Sequence, residues 1–116
     1  MTVVAKFDWL RLIREENWDE FNSQAKGTPP QLANADLRMA DLRRASLTRA
    51  DLRGAYLRNA DLRGLDLSEA DLHGASLHEA RISGVLFPAN LAPEEIRLSV
   101  LLGTRMRTRA ADRVPS

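Results

Sequence analysis

The chain has 116 residues and no cysteine, so it has neither disulfides nor thiolate metal ligands. Only two histidines occur, and we expect no metal site and no cofactor. The formal net charge is +1, so no overall field selects a nucleic acid or an acidic ligand as the partner. No apolar run reaches the length of a membrane span, and the N-terminus lacks the apolar core of a secretory signal. The sequence therefore predicts a cytoplasmic protein without a membrane partner.

A five-residue period runs from Pro30 to Ala89 without an insertion or a deletion. Every fifth residue is apolar: Leu32, Leu37, Leu42, Leu47, Leu52, Leu57, Leu62, Leu67, Leu72, Leu77, Ile82 and Phe87. An α-helix would scatter these residues around its circumference, and a straight strand would alternate them between its two faces. The chain is therefore predicted to turn once per unit. The apolar residue and the alanine two places before it point inward, while the residues between and after them point outward.

Several units carry a recognisable motif. The segments Ala-Asp-Leu-Arg at 35–38, Ala-Asp-Leu-Arg-Gly at 50–54 and the same five residues at 60–64 closely resemble the A(D/N)LXX units of pentapeptide repeat proteins. The resemblance covers about half of the chain and implies a bacterial, all-β solenoid: a right-handed quadrilateral β-helix with four units per coil. Twelve units then make about three coils. The core repeat residues are Leu37, Leu42, Leu47, Leu52, Leu57, Leu62, Leu67, Leu72, Leu77 and Ile82.

One inward column of this coil differs from the others. Stacking by twenty residues groups Ala45, Leu65 and Val85, whereas the alanine position is occupied by alanine throughout two other columns. Two oversized residues are expected to widen the wall locally.

Short helices are predicted to cover both ends of the repeat. We divide the chain into an N-terminal helical cap at 1–29, the β-helix at 30–89, a C-terminal capping helix at 90–103 and a basic tail at 104–116. A capping-box pattern begins at Asn17, and a helix follows it to about Ala25. Trp9 and Trp18 lie in this cap, where they are expected to close the leucine-filled end rather than stack on a ligand.

The C-terminal helix is apolar on two sides. Pro93 favours its start and Gly103 its end. Ile96 and Val100 fall near one direction and can cover the last coil, while the other side carries Leu98, Leu101 and Leu102. These three leucines are the candidate dimer interface, because similar pentapeptide repeat proteins often dimerise through C-terminal elements. The alternative is that the tail from 104 to 116 folds back over them, anchored by Met106, and that its arginines meet the acidic last coil.

Outward arginines form the candidate interaction surface, namely Arg38, Arg43, Arg58 and Arg63. Residues 30–64 carry seven arginines and four aspartates, so the arginines either pair with neighbouring aspartates or grip phosphates or a carboxylate-rich protein. The segment with Asp71, His73, Ser76 and His78 contains the residue types of a hydrolase triad. Nothing in the repeat supplies an oxyanion hole or a water-excluding pocket, so we expect no catalytic residue and no enzyme.

The sequence thus predicts a non-enzymatic protein-interaction or structural scaffold of the pentapeptide repeat type, a homodimer through its C-terminal helix with an unidentified protein partner. The resemblance supplies one alternative, a DNA mimic that modulates DNA gyrase or topoisomerase. A second alternative is nucleic-acid binding by the arginine ladder. The short body and the balanced charge disfavour both alternatives.

Overall fold

The structure is a computed structural model and describes residues 8–109. Three helices occur in this range: α1 (Trp9–Arg14), α2 (Trp18–Ala25) and α3 (Pro93–Leu102). Between α2 and α3 the described chain contains single-residue parallel β-bridges instead of regular strands. Seven such bridges join residues twenty apart: Gln31 with Asp51, Asp36 with Tyr56, Asp41 with Asp61, Asp51 with Asp71, Tyr56 with Ser76, Asp61 with Arg81, and Asp66 with Leu86.

This spacing means that the chain returns to the same position after four five-residue units. We name the four faces by their outward residues: the first face is 31/51/71, the second 36/56/76, the third 41/61/81 and the fourth 46/66/86. Backbone hydrogen bonds join the coils, as where Tyr56 N donates to Ala35 O and Leu57 N donates to Ser76 O, both at 2.9 Å. Because the chain turns within every unit, each contact remains one residue long. The expectation of an all-β protein is therefore met only in part.

Many of the turns use a left-handed backbone. Non-glycine residues adopt it at four corners, Asn34, Met39, Asn59 and Glu79, and glycines at four more. Gly54 shows why glycine suits a corner, since its φ is +67° and a Cβ there would lie 2.2 Å from the side-chain oxygen of Asn34. A larger residue at position 54 would be strained in its backbone and would clash with the coil below.

The core is a stack of leucines. Of the ten core repeat residues, the nine leucines are at most 2% exposed, while Ile82 in the last coil is only partly buried. In the inward column of Ala45, Leu65 and Val85, the Leu65 side chain is buried and the Val85 side chain is partly buried. Among the described residues, the fourth face is the one that lacks a bridge between its first two coils. There Ser46 N donates instead to the side chain of Asn22 in α2, at 2.8 Å.

Helices α1 and α2 cover the first coil with aromatic side chains. The side chain of Asn17 caps α2 by accepting a hydrogen bond from Glu20 N at 3.2 Å. Phe21 is fully buried, and the rings of Trp9 and Trp18 meet it edge to face at centroid distances of 5.0 and 5.8 Å. Both tryptophans are buried, so neither ring face is free to stack on a ligand.

Helix α3 covers the last coil through a residue that the sequence analysis did not single out. Ser99 is fully buried, and its hydroxyl accepts a hydrogen bond from Leu77 N at 2.8 Å and donates one to Thr104 O at 2.6 Å. The hydroxyl thus supplies an acceptor for the backbone N–H of Leu77, because no further coil follows to supply one. The helix ends at Gly103, whose φ is +79°.

Residues 104–109 fold back along the last coil. Met106 is fully buried, its N donates to Ala75 O at 2.9 Å, and its carbonyl accepts from Gly74 N at 2.6 Å. An antiparallel bridge joins Arg105 to Ser76. The tail therefore extends the ladder by one further segment, with Met106 as its anchor. No helix in residues 8–109 is long and apolar enough to cross a membrane.

The other part of the fold-back expectation, that the tail arginines meet the acids of the last coil, is wrong for Arg105 and Arg107. Arg105 binds the Tyr56 hydroxyl and Gly74 O, and Arg107 pairs with Glu95 of α3 rather than with an acid of the last coil. Leucines 98, 101 and 102 stay exposed, because residues 104–109 run along the coil and do not cover them. Arg113 lies outside the described residues.

Candidate interaction surfaces

Four units share an aspartate and an arginine two residues apart, and in each the two side chains form a forked ion pair. The carboxylate accepts from the Nε and one terminal nitrogen of the arginine at 2.6 to 2.9 Å. It also accepts from the backbone N of the arginine at 3.2 Å, which holds the turn. The pairs are Asp36–Arg38, Asp41–Arg43, Asp51–Arg53 and Asp61–Arg63. Each unit therefore neutralises itself.

Contacts between coils add to this pairing. Arg43 Nε lies 3.3 Å from a carboxylate oxygen of Asp61, and Arg53 Nε lies 3.9 Å from one of Asp71. The expected pairing with neighbouring aspartates is thus present, and its shorter contacts lie within a unit rather than between coils. The spacing Asp-x-Arg in the sequence could have predicted the pairing within a unit. Three of the four candidate arginines, all except Arg58, are held by aspartates.

The arginines lower the pKa of their partners. Hydrogen bonds from the Arg38 side chain hold the pKa of Asp36 at about 2, and those from Arg63 do the same for Asp61. The ionised carboxylate is the form that accepts these bonds, so the pKa falls below its usual value of 3.8. In the unfolded chain the same carboxylates lose these bonds.

We therefore expect an acid-dependent loss of stability. Between about pH 4 and pH 2 the unfolded chain binds more protons at Asp36 and Asp61 than the folded chain, so the stabilisation is complete above about pH 4 and is lost as the pH falls towards 2. Urea unfolding at several pH values and constant ionic strength measures this. The double variant Asp36→Asn and Asp61→Asn should show a shallower decline over that interval; an unchanged decline would assign it to other carboxylates.

Arg58 is the exception among the candidate arginines. The residue two places before it is Tyr56 rather than aspartate, and within residues 8–109 no carboxylate lies within ion-pair distance of its guanidinium. The Tyr56 hydroxyl accepts a hydrogen bond from Arg105 at 2.6 Å, and the Arg105 guanidinium carbon lies 5.0 Å from the tyrosine ring centroid. The second face thus carries two guanidiniums without carboxylate partners.

A cavity of about 350 Å³ opens on this face. We call it the Arg58 cavity. Its lining residues come from all three coils and from the end of α3: Arg38, Tyr56, Arg58, Ser76, His78, Leu102 and Gly103. A second cavity of about 440 Å³ shares Arg38 and Arg58 and continues towards the first coil.

The three leucines of the candidate dimer interface are exposed on α3. Leu98, Leu101 and Leu102 are 36%, 59% and 67% exposed, whereas Ile96 and Val100 pack against the core as partly buried residues. The helix is therefore apolar both towards the coil and away from it. We call the three exposed side chains the leucine patch.

The residue types of a hydrolase triad make separate contacts here. Ser76 donates its hydroxyl to Gly103 O at 3.0 Å, the His73 ring Nδ1 lies 3.0 Å from the Thr108 hydroxyl, and Asp71 accepts from the backbone N of His73. Ser76 thus connects the last coil to the end of α3, and His73 connects it to the returning tail, while Asp71 bonds within the coil. In the part of the chain that the structure describes, no group of three or more histidines and acids is placed to hold a metal.

Comparison with known proteins agrees with the geometry of the coil. The family model described as pentapeptide repeats, in eight copies, matches residues 31–64 and, overlapping them, residues 50–87. These matches span the residues that the parallel bridges connect. No curated protein and no solved structure is significantly similar to the chain.

Proposed function

The chain belongs to the pentapeptide repeat family, and from this premise we propose that it is a non-enzymatic protein scaffold that forms a homodimer in the cytoplasm. The family supports a repeat-type interaction or structural module, and its members are generally not enzymes. The observation that carries the dimer is the leucine patch. A surface helix normally buries its apolar residues on one side only, so exposed leucines on the far side favour a protein partner.

We further propose that the repeat is a right-handed quadrilateral β-helix of about three coils between the helical caps. The seven parallel bridges at a spacing of twenty residues support four units per coil. A solenoid this short has two exposed ends, and each needs a cover to exclude water from its leucines. Helices α1 and α2 serve the first end, while α3 and the returning tail serve the second.

The asymmetry of these two covers supports the proposed dimer. The first cover buries both of its tryptophans, whereas α3 leaves the leucine patch outside. A two-fold axis would bring two leucine patches together, since the same surface on both subunits is then self-complementary. The alternatives of a DNA mimic and of a nucleic-acid-binding arginine ladder receive less support. Four aspartate–arginine pairs neutralise one another on the repeat, which leaves neither an acidic rod nor an unbroken basic comb.

Light scattering tests the dimer. We expect a dimer mass for the unmodified protein at tens of micromolar. The single variants Leu98→Glu and Leu101→Glu should each have a monomer mass and an unchanged circular dichroism spectrum. In a dimer the introduced carboxylates of the two subunits would face each other, repel and lose hydration. Met39→Glu is the matched control, since Met39 is 73% exposed but lies at a corner of the first coil; it should remain a dimer. A monomer mass for the unmodified protein would contradict the proposal.

A further inference from the structure

The Arg58 cavity is lined by basic side chains. Two guanidiniums and one imidazole line it, and no carboxylate of residues 8–109 does. Arg38 is neutralised by Asp36, but Arg58 lacks such a partner because Tyr56 occupies the aspartate position of its unit. The Arg58 guanidinium thus lines the cavity as a set of N–H donors that no acceptor within residues 8–109 engages.

Tyr56 also changes the charge of its surroundings. Where six other units place an aspartate, it places a ring and a hydroxyl that hold Arg105 of the returning tail. Arg105 makes its other hydrogen bond to a neutral acceptor, Gly74 O, at 2.9 Å. One substitution in the repeat therefore removes a negative charge beside Arg58 and brings a further positive charge to the same face.

The walls of the cavity are suited to a ligand that is not purely ionic. The Tyr56 ring and the Leu102 side chain provide apolar surface, and Leu102 is 67% exposed. A volume of about 350 Å³ lies at the lower end of the range for small-molecule sites, which is about 300 to 1,000 Å³.

We propose that the Arg58 cavity binds an oxyanion, a carboxylate or a phosphate, carried on a small molecule with an apolar body. The Arg58 fork binds the oxyanion, since a guanidinium matches carboxylate and phosphate oxygens in a bidentate arrangement. Arg38 adds positive potential, and the Tyr56 ring and Leu102 contact the apolar part. Arg58, which binds the oxyanion, lies outside the leucine patch, so this contact does not rest on the proposed dimer, whereas the Leu102 wall belongs to that patch.

Titration by two-dimensional NMR tests the site with three probes: benzoate, phenyl phosphate and inorganic phosphate, at an ionic strength fixed with sodium chloride. We expect saturable shifts of the amides around Tyr56, Ser76 and Gly103 with benzoate or phenyl phosphate, and weaker binding of inorganic phosphate, which has no apolar body. Saturation by benzoate alone identifies a carboxylate ligand, and saturation by phenyl phosphate alone identifies a phosphate ligand. No saturable shift with any probe would overturn the proposal.

Three variants locate the binding. Arg58→Gln should weaken it about tenfold or more, as expected for a lost charged hydrogen-bond donor. Tyr56→Asp should weaken it similarly with Arg58 still present, because the introduced carboxylate stands at the spacing that neutralises arginine in four other units. Arg63→Gln is the matched control, since Arg63 occupies the same repeat position on the third face and is paired with Asp61; it should bind as the unmodified protein does.

Two outcomes would contradict a localised site. Equal affinity of Arg58→Gln and the unmodified protein for the probes would remove Arg58 from it. A duplex oligonucleotide that binds tightly and loses affinity equally in Arg58→Gln and Arg63→Gln would replace the cavity by an extended nucleic-acid surface. Light scattering and thermal melting of every sample separate these outcomes from a change in oligomeric state or in folding.

Discussion

Leu57→Asp is expected to unfold the protein or nearly so. Leu57 is fully buried in the middle coil, between Leu37 and Leu77 of its column, and it has leucine neighbours on both sides. A carboxylate at this position would find no cation and no water, and the expected cost exceeds about 4 kcal/mol. Small domains are stable by only about 5 to 15 kcal/mol. Urea unfolding followed by circular dichroism measures the change.

Arg58→Ala is the control for this experiment. It changes the adjacent residue, whose side chain is outward and has no ion pair among residues 8–109. The expected loss is below about 1 kcal/mol. If the two variants ranked in the opposite order, the assignment of inward and outward residues would be incorrect.

Met106→Ala is expected to cost about 2 to 5 kcal/mol, the range observed when a buried methionine or leucine is truncated. Met106 is fully buried although it lies only a few residues from the end of the described chain. Its backbone makes hydrogen bonds with Gly74 N and Ala75 O. Without Met106 these two groups of the last coil would face water or α3. The loss of its side chain should therefore weaken both the core and this edge.

Met39→Ala is the matched substitution, since Met39 is 73% exposed and its removal leaves no cavity. Its stability should change by less than about 0.5 kcal/mol. The midpoints of urea unfolding for Met106→Ala and Met39→Ala measure the two losses of stability. A loss at Met106 as small as that at Met39 would mean that the tail separates from the coil without affecting the core.

The sequence was informative wherever a short-range pattern determined the structure. The five-residue period identified the buried leucines, because an odd period with a constant inward residue requires a turn in every unit. Proline and glycine likewise indicated the ends of α3, since Pro93 starts the helix and Gly103 adopts the left-handed backbone that ends it. Both signals act within a few residues and need no knowledge of distant contacts.

Features that depend on distant parts of the chain were not predicted. Ser99 is buried because Leu77 N needs an acceptor at the end of the coil, and a serine in a short helix gives no sign of that. The position of Arg105 depends on a tyrosine almost fifty residues earlier, through a hydrogen bond of 2.6 Å. Arg58 could have been recognised, because its unit visibly lacks the aspartate that four other Asp-x-Arg units contain. Its position along the repeat alone does not distinguish Arg58 from the other arginines, whereas the residue two places before it does.

The twenty-residue register also determines how such a protein can change in length. If one five-residue unit were lost from the middle of the repeat, every later residue would move by one face, and α3 and the tail would turn by a quarter of a revolution about the coil axis. Arg105 would then face a different column, and the Arg58 cavity would lose its Leu102 wall. The loss or gain of four units would instead leave every face aligned and change only the distance between the caps, by about 4.8 Å. The surfaces of this architecture therefore stay unaltered only when its length changes by whole coils, and all four faces then lengthen or shorten together.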